Sequence, residues 1–557
     1  MTKKILQYLV ELYGTDVAAS VADKLARLML APEAHRAKPG AAFDLSERDA
    51  LLITYADQIT EPERAPLRSL ADFCRENLQG VVSGVHLLPF YPWSSDDGFS
   101  VKDFVAVEPA YGTWDDVGRF RPNFDLMFDA VFNHMSAQSN WFQTFLNDND
   151  AAFRDFFVTV EGEPELSQVV RPRALPLLTE FQTAAGFKKV WTTFSADQVD
   201  LNFKNPEVLL ATIQVLLFYV KHGARFIRLD AIAFLWKEIG TTCIHLPQTH
   251  AVIQLYRAVL DEVAPEVMLI TETNVPHRDN ICYFGDGTNE AQLVYNFSLP
   301  PLTLHSLVTG NATVLTRWAQ SLSLPSARVT WFNFLASHDG IGVNPARGIL
   351  TESEIARLIE HVTSHGGFIS YKSMPDGSQV PYEMNINYLD ALSNPVANES
   401  AAMAAQKFLT AQAIMLSLQG MPGIYFHSLF GSRGDRAAVE QTGIKRRINR
   451  EKLTFNKLSR ELGDPTSLRT LVFRGICKLL SQRRAHRAFA PVAPQRILEL
   501  DPRIFAVLRE SVDGDDRVLC LHNLSQQTVK VEAHGTGFGE CRLAGYESRW
   551  LTSGANA

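Results

Sequence analysis

At 557 residues, with 46% hydrophobic and 20% charged residues and a net charge of −8, the chain reads as a globular protein too long for one ordinary domain. The charge is spread along the sequence rather than blocked, which argues against a nucleic-acid partner. Six cysteines (Cys74, Cys243, Cys282, Cys477, Cys520, Cys541) stand far apart with no CxxC pair; they suggest neither a disulfide framework nor a zinc knuckle, and fit reduced thiols in a cytoplasm.

In chain order, Ile5, Leu6, Leu9, Val10 and Leu12 have helical spacing, so residues 1–48 are expected to form a helical extension. Glu11 interrupts its apolar stretch and no cleavage site follows, which does not suit a signal peptide. Eight short apolar runs come next: 50–55, 82–90, 125–132, 226–232, 267–272, 292–299, 331–336 and 423–427. Most are separated by helical patterns, which predicts a (β/α)8 TIM-type barrel over residues 49–488. Gaps at about 134–205 and 340–398 are too long for simple crossovers and predict two loop-inserted lid subdomains over the C-terminal ends of the strands. The longest apolar run, Leu209 to Val220, contains Thr212 and Gln214 and falls short of the ~18 residues of a membrane span. Alternating runs at 504–508, 517–522 and 528–531 predict a C-terminal antiparallel β domain over 489–557.

Three predicted strands end in acids: Asp230, Glu272 and Asp339. Parallel strands of a barrel end on one face, so these acids converge. Arg228 shares a strand face with Asp230 and favours its ionised form, as a nucleophile requires; a barrel-closing salt bridge is the alternative. Glu272, flanked by apolar strand, suits a raised pKa and proton donation. His338 and Asp339 suit sugar hydroxyls and a developing positive charge. Retaining glycosyl transfer needs such a pair, about 5–5.5 Å apart. His245 and His250 lack an acidic partner, so no metal site is expected, and without a GxxxxGK[ST] motif phosphate would bind as a free ion.

The segments 129–134, 226–230, 270–272 and 337–339 resemble, in order, the four sequence regions of the α-amylase superfamily. That resemblance implies Asp230 as nucleophile, Glu272 as acid/base and Asp339 as transition-state stabiliser, with Arg228, His134 and His338 around one glucose. Ser95–Ser100, Arg171-Pro-Arg173, Val190–Asp200 and His338–Gly342 are similar to the sucrose phosphorylase branch. From it follow Asp96, Phe99 and Gln198 in the glucose pocket and Arg173 and Tyr382 at phosphate or acceptor. An arginine paired with Asp96 is placed at Arg450, with Arg446 as fallback. Asn133 stands where many amylases ligate calcium, although this branch is not expected to need it.

The residues after Glu272 and around Tyr382, with Arg433, resemble glucosylglycerate phosphorylases more closely. The implied reaction is reversible phosphorolysis of 2-O-α-D-glucosyl-D-glycerate to α-D-glucose 1-phosphate and D-glycerate, without a cofactor and with inorganic phosphate as co-substrate. A glycerate carboxylate calls for a cation, for which His277 and Arg278 are candidates; a solvated basic loop is the alternative. Phosphorolysis of sucrose, glucosylglycerol or sucrose 6-phosphate, transglucosylation or hydrolysis, and a non-catalytic carbohydrate-binding barrel remain open, as does the oligomeric state.

Overall fold

The computed structural model describes residues 2–30, 43–148, 150–374 and 377–552. Residues 31–42 of the predicted extension, Pro375 and Asp376 of the second insertion and residues 553–557 of the tail lie outside the described residues.

Eight parallel strands close into a barrel: β1 (Leu51–Thr54), β2 (Gly84–Leu87), β3 (Asp125–Ala130), β4 (Ala224–Leu229), β5 (Met268–Thr271), β6 (Leu293–Tyr295), β7 (Thr330–Asn333) and β8 (Met421–Tyr425). Each pairs with the next in sequence, and β8 returns to β1. These are the eight apolar runs read from the sequence. Their side chains are buried almost throughout, which is why they read as continuous apolar runs rather than as alternation.

The helices around the barrel start where the chain provides for it. Asn205 accepts a hydrogen bond from the Glu207 backbone N–H, and Pro206 occupies the first turn of Pro206–Lys221. This helix is apolar on most sides because a second layer covers it. The helical segment Lys3–Leu30, broken by a kink at Gly14, packs on Pro206–Lys221 and Pro247–Val263 and buries Ile5, Leu9, Val21 and Leu25. Tyr13 Oη donates to the Phe203 carbonyl at 3.0 Å, and Lys24 pairs with Glu207. Among the described residues no helix is long and apolar enough to cross a membrane.

Both long gaps sit over the strand C-termini. Between β3 and β4 lie a three-stranded sheet (Thr159–Val160, Gly186–Trp191, Leu178–Thr183) and the pair His134–Ser136 with Gln198–Asp200. Between β7 and β8, Ile341–Gly342, Gln379–Asn385 and Phe368–Ser373 form another sheet, beside helix Glu352–Ser364. The C-terminal four-stranded antiparallel sheet begins at Gln495. Buried Arg509 ties it to the barrel side by donating to the carbonyls of Ser417, Ala490 and Ala493.

The barrel floor tolerates no added volume between β1 and β3. A Cβ on Gly84 would lie 2.5 Å from Leu51 Cδ2 and 2.7 Å from the Asp125 carbonyl oxygen, and the latter is backbone that cannot rotate away. Gly84→Ala is expected to cost ~1–3 kcal/mol, read as a lowered thermal midpoint; an unchanged midpoint would show that this contact yields freely.

Candidate active site

The alternation of β4 turns Arg228 into the barrel, opposite Asp129 of β3. Its Nη1 donates to Asp129 and, at 2.6 Å, to Asp230 Oδ1, while Nη2 lies 3.8 Å from Glu272 Oε2. His86 of β2 closes the row from behind, with Nε2 2.5 Å from Asp129 Oδ2. The Ala231 N–H donates to Glu272 Oε2 at 3.1 Å, from a residue in the left-handed region at φ 48°. One guanidinium thus faces three carboxyl groups, and its two hydrogen bonds to them, both from Nη1, go to Asp129 and Asp230.

The protonation of these groups follows from that geometry. Burial raises the Asp129 carboxyl, but Arg228 and His86 outweigh burial and hold it below its usual range. Asp230 is raised by burial, against the opposing pull of Arg228. Glu272 is pushed up to about 7, by burial first, against the pull of Arg228 at 3.8 Å, with Asp230 and Asp339 adding to the rise. The 2.6 Å contact makes Asp230 the acid that ionises first and leaves Glu272 as the one that keeps its proton. Burial at Asp230 was not visible in the Arg-Leu-Asp sequence, where Arg228 alone argued for ionisation.

Asp339 lies beyond β7 in a different field. Arg446 Nη1 is 2.6 Å away and Arg450 Nη2 3.6 Å. Burial raises this carboxyl, but the guanidinium groups of Arg446 and Arg450, with Arg228 behind them, outweigh it and hold the group well below the carboxylate range. Glu383, fully buried, grips Arg446 with two hydrogen bonds of 2.8 and 3.0 Å. His338 stacks on Phe99, with ring centroids 4.6 Å apart, and burial keeps its imidazole neutral.

Phe99 belongs to a strained loop after β2. Asp96 and Asp97 both adopt left-handed φ, 52° and 48°, which costs ~1–2 kcal/mol for each non-glycine residue. The turn sends Asp97 back to Arg450 and Arg447, at 2.7 Å each, and leaves Asp96 facing the cavity. On the opposite wall His134 Nε2–H donates to the Phe99 carbonyl at 3.0 Å, with Gln198 Nε2 on the same oxygen at 3.2 Å. Behind them buried Lys237 places Nζ 2.7 Å from Asn133 Oδ1 and 2.6 Å from Asp200 Oδ2. Among the described residues no group of three or more His, Cys, Asp or Glu is arranged to hold a metal ion.

The outer half of the cavity is lined by Arg173, Phe194, Phe234, Asn274 and Tyr382. Arg173 lies about equally over the rings of Phe194 and Tyr382, at 6.0 and 5.9 Å. The lining holds two arginines: Arg446 is committed to Asp339 and Glu383, whereas Arg173 has no ion-pair partner among the described residues.

Comparison with known proteins agrees with this arrangement. The α-amylase catalytic-domain family matches residues 78–341. A glucosylglycerate phosphorylase of Spirochaeta thermophila is 55% identical over 481 residues, 86% of this chain and 81% of that one. Another, from Allomeiothermus silvanus, is 52% identical over 535 residues, 96% of this chain and 95% of that one. The chain belongs to the glycoside phosphorylases of the α-amylase superfamily. Its fold is also that of the crystal structure of a sucrose 6F-phosphate phosphorylase from Thermoanaerobacter thermosaccharolyticum, with TM-score 0.76 at 23% identity, covering 91% of this chain and 100% of that one.

In this phosphorylase the structure brings ten of the residues nominated from sequence onto one cavity: Asp230, Glu272, Asp339, Asp96, Phe99, His134, Gln198, His338, Arg173 and Tyr382. Arg228 and Arg450 lie buried beneath it. Arg450 pairs with Asp96 as expected, at 3.6 Å, and more closely with Asp97, at 2.7 Å, because the left-handed turn brings that carboxylate round to the same guanidinium. Arg446, the fallback, reaches the cavity but pairs with Asp339. His277 and Arg278 are corrections. The chain turns into the short helix His277–Asn280, pinned by Asn280 to Thr273 and to the Tyr295 carbonyl. That turn stacks His277 on Trp331 and leaves the Arg278 side chain 92% exposed beside Asp279, so neither lines the cavity. Sequence reasoning missed Phe194, Glu383 and Asn274. The last, two residues past Glu272 in a segment already singled out, carries a buried Oδ1 without a hydrogen-bond partner among the described residues.

A carboxyl raised to about 7 in the fold stays protonated there while its unfolded counterpart ionises. Its contribution to stability is therefore complete below about pH 4.5, falls as pH rises to about 7, and is constant above. Replacing Glu272 with a group that cannot ionise removes the loss. The melting temperature of Glu272→Gln should rise relative to wild type across that window, by the equivalent of up to ~3 kcal/mol, and then level off. A gap independent of pH would contradict the raised pKa.

Proposed function

We propose that the chain is a retaining phosphorylase that converts 2-O-α-D-glucosyl-D-glycerate and inorganic phosphate to α-D-glucose 1-phosphate and D-glycerate. The observation that carries the chemistry is the unequal sharing of Arg228, which sets an acid in direct contact with the guanidinium beside one that is pushed up to about 7 and keeps its proton. Asp230 attacks the anomeric carbon while Glu272 gives its proton to the glycosidic oxygen, so that bond breaks, glycerate leaves and a β-glucosyl ester remains. In the second half a phosphate oxygen attacks the same carbon, Glu272 takes the phosphate proton, and the Asp230 ester bond breaks. A pKa near the working pH suits a group that must both give and take a proton. Asp339, held ionised by Arg446, is placed to stabilise the positive charge that builds on the ring.

Arg173 supports the acceptor half of the reading. Both glycerate and phosphate are anions, and a guanidinium between two aromatic rings, with no ion-pair partner among the described residues, offers either a charge-assisted contact. That the similar proteins from Spirochaeta and Allomeiothermus are glucosylglycerate phosphorylases supports glycerate as the leaving group. The scheme draws on no cofactor. Six unpaired cysteines support a reducing, cytoplasmic setting.

The test is release of glucose 1-phosphate from glucosylglycerate, glucosylglycerol, sucrose and sucrose 6-phosphate, each with phosphate. Glucosylglycerate should be the preferred donor; robust turnover of sucrose with none of glucosylglycerate would replace the acceptor and leave the chemistry standing. Asp230→Ala should lower turnover by ~10³-fold or more, about 4 kcal/mol, and a smaller loss would dismiss it as nucleophile. Arg173→Ala should raise the KM for phosphate and for glycerate by about tenfold or more. Arg278→Ala, on the exposed outer turn, should change neither; the reverse pattern would restore Arg278 to the acceptor site.

A further inference from the structure

The loop after β2 poses a mechanical question. It presents Asp96 and Phe99 to the cavity, yet Asp96, Asp97 and Gly98 all adopt positive φ in succession. A Cβ on Gly98 would lie 2.6 Å from the Pro89 carbonyl oxygen, so the loop is pressed against the end of its own strand. Backbone of this kind persists only where its surroundings hold it.

On one side Arg447 and Arg450 hold Asp97. On the other a single carboxylate oxygen gathers hydroxyls from both ends of the loop. Asp197 Oδ2 accepts from Ser94 Oγ at 2.5 Å, from Ser95 Oγ, and from Ser100 Oγ at 2.7 Å. Ser94 also meets Ser136 at 2.6 Å, and the Ala137 N–H donates to the Asp197 carbonyl at 2.8 Å. Asp197 does not line the cavity, but the next residue, Gln198, does, and its amide reaches the Phe99 carbonyl. Hydrogen bonds to a carboxylate are about twice as strong as neutral ones, so three on one oxygen make a firm clasp between the first insertion and the loop.

We infer that Asp197 is a positioning residue: its clasp of Ser94, Ser95 and Ser100 holds the strained loop closed, keeping Asp96, Phe99 and Gln198 in place on the glucosyl unit. The inference rests on the proposed glucosyl transfer. It has a consequence for the second half-reaction. With the loop loosened, water reaches the glucosyl ester, its oxygen bonds to the anomeric carbon, its proton passes to Glu272, the Asp230 ester bond breaks, and free glucose forms in place of glucose 1-phosphate.

The experiment measures glucose 1-phosphate and free glucose from glucosylglycerate and phosphate, using the full chain. Wild type must first release glucose 1-phosphate from glucosylglycerate or from another glucoside of the panel; release from none sinks the glucosyl-transfer reading itself. Given that activity, assayed on the donor used by wild type, Asp197→Ala should raise the donor KM by about tenfold or more, with kcat falling less than about threefold, and should raise the share of free glucose. Asp197→Asn, which keeps an acceptor oxygen, should recover most of the affinity. A donor KM and product ratio unchanged in Asp197→Ala, or a fall in kcat alone, would overturn the inference. If that variant does not fold, Ser94→Ala and Ser100→Ala each remove one donor to the same oxygen; a raised donor KM in both sustains the clasp, and wild-type KM in both overturns it.

Discussion

Everything at the mouth of the barrel depends on how one guanidinium is divided. Arg228 is buried among Asp129, Asp230 and Glu272, and a single positive charge cannot neutralise three carboxylates in a desolvated site. The two acids in direct contact take it. Glu272, held at 3.8 Å and fixed instead by the Ala231 N–H, is left with a proton near neutral pH. Burial raises both acids, and their unequal distances to one guanidinium then set them apart, on adjacent strands of one sheet. His86 supports the arrangement from below by satisfying the far oxygen of Asp129.

The second constraint is charge separation between the two ends of the site. Asp339 is surrounded by Arg446 and Arg450, with the neutral imidazole of His338 beside it, so it stays ionised chiefly through arginines other than Arg228. These arginines tie it outward as well: Arg446 to Glu383 in the second insertion, Arg450 to Asp97 in the loop after β2. One ion-pair network thus joins the catalytic floor to the segments that cover it. Arg173 stands apart from that network, held by aromatic faces with no ion-pair partner among the described residues.

The remaining architecture serves to hold these strand ends still. Helix Lys3–Leu30 adds a layer outside Pro206–Lys221, the helix that leads into β4 and so into Arg228 and Asp230. Arg483 and Arg509 are buried with carbonyl oxygens as their partners, and burial lowers Arg509 to about 9. Arg509 joins the C-terminal sheet to the barrel side, and Arg483 ties its own helix to the residue before β8 and to Phe489, both through backbone groups that loops would otherwise leave unsatisfied.

Much of this was legible in the amino-acid order. The barrel could be read because its strands are buried on both faces and stand out as apolar runs, and the acids at their ends because strand termini converge in a parallel barrel. The loop at 94–100 was legible as a motif but not in its directions: adjacent Asp96 and Asp97 look interchangeable until the left-handed turn sends one to the cavity and the other to Arg450. His277 and Arg278 misled for a related reason, since nearness to Glu272 in sequence says nothing of a turn set by Asn280. The sequence by itself determined the fold and which acids meet at the strand ends, because periodicity and strand ends are local properties. Which acid holds the proton, which arginine remains free and what clasps the loop were decided only by the tertiary structure, because charge sharing depends on ångström distances between residues far apart in the chain.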